Sequence, residues 1–186
     1  PASPRRAYPE LLARIAADPG WNGGWYYDRP GGVTETMRAI RYETLKRYGA
    51  DEVLADEGLD PAARDAKMRA QAAAWADRFD AHSLLILRKA ADAVRDTGLE
   101  SVSVGKLMRS VDLTHGGFYN HFTSRSDLLA QALERALVEG GKLATASIKP
   151  GEGPRSYETR VKGYLSRAHR DARTEGCAIA ALASDV

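Results

Sequence analysis

A single cysteine, Cys177, in 186 residues leaves no partner for an internal disulfide and no thiolate set for a cysteine-rich zinc site. Cys177 therefore reads as a small core residue. No apolar run approaches the ~20 residues of a spanning helix. The N-terminus also lacks the charged-then-apolar layout of a signal peptide, so the expectation is a cytoplasmic protein with no membrane partner. Charge of one sign is equally scarce: 27 Lys and Arg face 25 Asp and Glu, a net +2 at pH 7, too little to announce nucleic-acid binding by itself. No Gly-x-Ser-x-Gly elbow is present, and internal repeats are absent. His115, His121 and His169 have no second histidine or carboxylate at zinc-helix spacing, so no metal and no cofactor are expected.

What the chain does have is concentrated between residues 103 and 122. Ser103 and Thr114 are both residue types that cap helices, because a hydroxyl accepts from one of the first free N–H groups. Between them Val104, Leu107, Met108 and Val111 recur at helical spacing, Asp112-Leu113 makes a corner, and Phe118 and Phe122 repeat the apolar stripe. The spacing predicts two short helices that share one small core. They cross steeply enough for the second to enter a major groove while the first lies over the backbone. Gly116 and Gly117 together cost the second helix about 2 kcal/mol of propensity against alanine. A duplex surface offsets that cost, since residues without side chains let the main chain sit close to bases and phosphates. Tyr119, Asn120 and His121 add hydrogen-bonding tips beside that approach. Ser124-Arg125-Ser126-Asp127 has the pattern of a capping box for a further helix, Leu128 to about Glu139, whose N-terminus carries Arg125 as a second phosphate-binding end.

From Leu84 to Leu129 these residues resemble the DNA-binding domain of TetR-type transcriptional regulators. Leu87, Ala90, Ala91 and Val94 match the family's first helix, Gly98 the break after it, and Val102-Ser103-Val104 the start of the second. Leu113 to Phe122 matches the recognition helix, and Leu128 the beginning of the fourth. The resemblance implies an all-α fold, a homodimer in the complete form, and release from palindromic double-stranded DNA when a small-molecule effector binds. It places Thr114, His115 and Gly117 against bases and has Ser103, Tyr119, His121 and Arg125 hold phosphates, with Gly116 and Asn120 in the same contact stretch. So few base-reading donors leave much of the specificity to dimer spacing and DNA shape. Lys106, Arg109 and Arg125 are expected toward the duplex, and Asp92, Asp96 and Glu100 away from it. Tyr157 to Val186 is similar to the start of the same family's effector domain. The chain ends before the helices that form the dimer bundle and close the ligand pocket in that family.

The residues before 84 belong to a different pattern. Tyr8 to Ala17 reads as a short amphipathic helix, Trp21 to Asp28 as an aromatic, glycine-bearing loop that packs over neighbouring helices, and Val33 to Tyr48 as a helix stopped by Gly49. A further helix is expected after the N-cap pair Asp60-Pro61, running with Met68, Trp75 and Phe79 toward His82. His82 beside Asp80 reads as a surface pair. Asp18 to Tyr27 and Trp75 to Leu85 make Arg14 to about Ala93 resemble the cap region of homoserine O-acetyltransferase-type α/β-hydrolases. No catalytic residue carries over, because the nucleophile elbow is missing. The two resemblances overlap at Leu84 to Ala93, where one helix can serve both. The organisation expected is thus a helical segment over 1–83, a helix-turn-helix domain over 84–146 and a partial effector and dimerisation domain over 147–186, with Ser147 to Arg155 as linker. The function expected is a repressor-like DNA-binding regulator, not an enzyme. The alternatives are a non-catalytic acetyltransferase-like fragment fused to a regulator fragment, and a helical interaction module without activity.

Overall fold

The computed structural model describes residues 4–145, with side chains placed from Tyr8 to Arg135. The readings of Cys177, His169, the linker and the effector segment fall outside the described residues. Within them the chain is helical and contains no strand, so the all-α expectation holds. The order is α1 (Pro4–Ala16), two 3-10 turns (Pro19–Gly24 and Tyr26–Asp28), α2 (Thr34–Arg47), α3 (Ala50–Asp56), α4 (Pro61–Ala76), α5 (Ala81–Thr97), α6 (Val104–Arg109), a 3-10 helix (Gly116–Asn120) and α7 (Arg125–Thr145). Two compact units divide it: Pro9–Leu84, and the described residues up to Tyr8 together with those from Leu85 onward.

In the Pro9–Leu84 unit, α2 packs along α4, and α3 packs against both. Ile15, Val33, Met37, Leu54, Met68 and Ala72 are buried there. Local chemistry sets the ends. Asp60 accepts from the Ala63 amide at 2.9 Å with Pro61 in the first turn of α4, the arrangement expected of an N-cap. The expected helix from Asp60 toward His82 is nevertheless two helices. Asp80 accepts from the Ser83 amide and from its hydroxyl, both at 2.9 Å, so a second N-cap starts α5 where the first helix was expected to run on. Helix α3 was not expected either. Gly49, at φ +72, ends α2 and directly precedes α3, whose first turn holds Asp51 and Glu52.

The second unit is built on α5, α6, the 3-10 helix and α7. Leu85, Ile86, Leu87, Ala90, Ala91, Val94, Val102, Leu107, Met108, Val111, Phe118, Phe122, Leu128 and Ala132 are among its buried apolar side chains, and Phe118, Ile86, Met108, Leu128 and Val94 are fully enclosed. Phe118 and Phe122 stack with ring centroids 5.6 Å apart. Burying one such side chain contributes roughly 1.5–3 kcal/mol. Two basic residues of α5 are also buried: Arg88 lies 3.1 Å and Arg95 3.5 Å from the Asp92 carboxylate, so one acid lies between two cations. At the start of this unit the Lys89 ammonium sits 4.0 Å from the Tyr8 ring centroid.

Candidate nucleic-acid interface

The turn between α6 and the 3-10 helix is fixed by main-chain hydrogen bonds. The Leu113 amide donates to the Met108 carbonyl at 2.9 Å and the Asp112 amide to the Arg109 carbonyl at 3.2 Å. This is the six-to-one and five-to-two pairing of a Schellman ending, with Asp112 in the left-handed position at φ 58. An aspartate tolerates that conformation better than most residues, which is why Asp112-Leu113 can form the corner.

The element that follows is a 3-10 helix, not the short α-helix the spacing predicts. Its bonds run from the Gly117 amide to the Thr114 carbonyl at 3.1 Å, from Phe118 to His115 at 3.2 Å and from His121 to Phe118 at 3.0 Å. Two adjacent glycines weaken the α-helical alternative. The Thr114 hydroxyl caps this helix, accepting from the Gly117 amide at 3.2 Å. Ser103 behaves differently from the expectation that its hydroxyl starts a helix. Its backbone holds the N-cap conformation and its carbonyl accepts from Leu107, but its side chain makes no capping bond and is exposed.

The side chains of Thr114, His115, Tyr119 and Asn120 are exposed, and so is Gly116; Gly117, His121 and Arg125 are half-buried. Tyr119 is 67% exposed beside a Phe118 ring that is wholly enclosed, the two meeting edge to face at 5.3 Å. Neighbours along the chain thus serve opposite purposes, one in the core and one outside it. A Cβ built on Gly116 meets no atom within 4 Å, whereas one on Gly117 lies 3.3 Å from the Thr114 hydroxyl. Lys106 and Arg109, three residues apart on α6, are both exposed.

Arg125 is held inside its own unit. Its Nε donates to the Val102 carbonyl at 2.9 Å and its Nη2 to the Leu99 carbonyl at 2.8 Å. Sequence spacing gave no sign of these acceptors, which lie more than twenty residues back along the chain. The capping box around it is also displaced by one residue: the Asp127 amide donates to the Ser124 hydroxyl at 3.0 Å, but the Asp127 carboxylate accepts from the amide and hydroxyl of Thr123, at 3.1 and 3.0 Å, and not from Ser124. Gln131 donates to the same carboxylate at 2.9 Å and, with the Thr123 amide, holds it below the usual carboxylate range.

In the Pro9–Leu84 unit, the expectation of His82 as a surface residue is overturned. His82 is 8% exposed, with its ring against Trp21, Tyr26 and Tyr27 at 5.3, 5.0 and 6.1 Å. Its amide donates to the Tyr26 hydroxyl at 3.2 Å, and that hydroxyl also pairs with Tyr27 at 2.8 Å and with Asp80 at 3.0 Å. Burial first, then Tyr27 and the Asp80 charge, push the Tyr26 phenol far above its ordinary pKa. The aromatic loop is only partly packed: Trp25 and Tyr27 are 70% and 62% exposed. Among the described residues no His, Cys, Asp and Glu cluster has metal-site geometry, and no helix is long and apolar enough to cross a membrane.

The chain is 33% identical over 121 residues to a homoserine O-acetyltransferase of Thermobifida fusca (strain YX), a match that takes in 56% of this chain but only 31% of that protein. Residues 86–132 match the family described as bacterial regulatory proteins, tetR family. That span runs from α5 through the cornered pair to the first turns of α7, and Phe118 and Phe122 are among its buried positions. The chain therefore carries a helix-turn-helix domain of the tetR family of DNA-binding regulators.

Proposed function

We propose that this chain is a repressor-like regulator that binds operator DNA through the stretch from Ser103 to His121. It acts inside the cell as a homodimer and is released from DNA by a small-molecule effector. In this reading Thr114, His115, Gly116 and Gly117 face bases, while Ser103, Tyr119, Asn120 and His121 reach phosphates. The observation that carries it is Gly116: it is exposed, helical and not in the left-handed region, and it has open space where a side chain would stand. Among the described residues nothing requires glycine there, and its bare main chain leaves room for an outside surface to approach. Fluorescence anisotropy with a labelled mixed-sequence duplex of about 30 base pairs, roughly three helical turns, tests the reading. Affinity falls linearly on a log–log plot against salt, and Tyr119→Ala weakens it and lowers the slope by about 0.9 while circular dichroism is unchanged. Wild-type protein with no salt-dependent binding, or full binding by Tyr119→Ala, removes the proposal.

The identity to a homoserine O-acetyltransferase, with the sequence pattern of Asp18 to Tyr27 and Trp75 to Leu85, supports a second reading for the Pro9–Leu84 unit. It is a cap-like helical segment without catalytic groups of its own, since the sequence has no Gly-x-Ser-x-Gly elbow to supply a nucleophile. Turnover of acetyl-coenzyme A by the purified chain overturns that reading.

A further inference from the structure

The turn joining α5 to α6 is held locally by short-range bonds, among them the pairing of the Thr97 and Ser101 hydroxyls. Gly98 leaves α5 at φ +79, the Val102 amide donates to the Leu99 carbonyl at 3.3 Å, and the Ser101 hydroxyl donates to the Gly98 carbonyl at 2.8 Å. Arg125, at the first residue of α7, ties this turn to a distant part of the chain. Its Nε and Nη2 form one edge of the guanidinium fork, and that edge grips the carbonyls of Val102 and Leu99 at 2.9 and 2.8 Å. The next residue after Val102 is Ser103, whose carbonyl accepts the first bond of α6 from Leu107 at 2.9 Å.

We propose that Arg125 is a positioning residue for DNA binding and not a phosphate ligand: it fixes the 98–103 turn, and through it the placement of Ser103 and α6. The proposal rests on the DNA-binding reading above. Taking a phosphate in the bidentate manner along the same edge requires Arg125 to surrender both carbonyls, and this long-range tie with them. Lysine carries the same charge but has no planar fork, so it satisfies a phosphate and not this pair of carbonyls.

Arg125→Lys and Arg125→Gln in the full chain separate the two roles, each first checked for native helicity by circular dichroism. Two readouts are taken. Hydrogen exchange follows the amides of residues 99–104, and anisotropy on the mixed-sequence duplex follows affinity against salt. A strut predicts that exchange in this turn speeds roughly tenfold in both variants, as expected for losing hydrogen bonds to a charged donor. It predicts further that Arg125→Lys loses as much affinity as Arg125→Gln, with the salt slope of Arg125→Lys unchanged. The proposal is overturned if Arg125→Lys keeps wild-type affinity while Arg125→Gln loses about 0.9 of slope, or if exchange at 99–104 is unaltered in both. Wild-type protein that fails to bind duplex at any salt removes the DNA reading, and faster exchange in both variants then still reports the tie.

Discussion

Replacing Gly116 by alanine separates what the protein needs from what its partner needs. In the free chain the added methyl meets no atom within 4 Å, and the backbone there lies outside the left-handed range, so no strain is introduced. Alanine then gains its usual advantage over glycine, part helical propensity and part reduced freedom of the unfolded chain. In a five-residue 3-10 helix the gain is about 0.5–1 kcal/mol. Thermal unfolding registers it as a rise of a few degrees in Tm. On DNA the sign reverses. A main chain seated at van der Waals distance from a groove has no room for a methyl, and a loss of about 1.4 kcal/mol there is a tenfold weaker complex. Calorimetry and anisotropy on the same preparation therefore move in opposite directions. Gly117→Ala serves as control, because its methyl comes within 3.3 Å of the Thr114 hydroxyl that caps the helix, so it gains no stability. A Gly116→Ala variant that binds duplex as tightly as wild type, or that unfolds at a lower temperature, refutes the reasoning.

Asp112→Gly relieves the left-handed backbone at φ 58 while leaving both bonds of the Schellman ending in place, so urea unfolding should show a gain of about 0.5–1 kcal/mol. Tyr26→Phe removes the hydroxyl shared by Tyr27, Asp80 and the His82 amide and leaves a buried N–H without its acceptor, a loss of about 1–3 kcal/mol by urea unfolding. Asp127 sets an acid-side dependence. Its folded pKa is depressed by Gln131 and then by the Thr123 amide, so its stabilisation is complete above the ordinary value of about 4 and is lost as the pH falls through the lower folded value. Asp127→Asn should flatten stability over that window, measured by urea unfolding at successive pH values.

What could be read from the sequence was local. Asp60-Pro61 announces a helix start because the cap and its acceptor are three residues apart, and the Asp112-Leu113 corner is announced by the apolar runs on either side. Leu107, Met108, Val111, Phe118 and Phe122 are buried as their spacing predicts. What could not be read depends on partners far along the chain. His82 is buried by Trp21 and Tyr26, more than fifty residues earlier, and without them an Asp80–His82 pair reads as surface. Arg125 sits in a pattern that suggests a phosphate contact, and only the positions of the Leu99 and Val102 carbonyls reveal its other engagement. The 3-10 form of the second helix was hidden for a different reason: apolar residues four apart fit one α-turn, and the short bonds around the glycines settle the matter.

The same five-residue helix shows how a domain of nearly balanced charge could present the proposed reading surface. A 3-10 helix turns about 120° per residue, so consecutive side chains point to widely separated directions. Phe118 takes the inward direction, is fully enclosed and stacks on Phe122, which anchors the helix in the core of its unit. Tyr119 and Asn120 are thereby left outside, and Gly116 offers bare main chain beside them. Anchoring and presentation use different residues, so core stability does not compete with contact for any one side chain. On the proposed DNA-binding reading, Lys106 and Arg109 are the exposed cations of α6 that would attract phosphate, discrimination would fall to close fit rather than to charge, and fit is the property that a single methyl at position 116 would destroy.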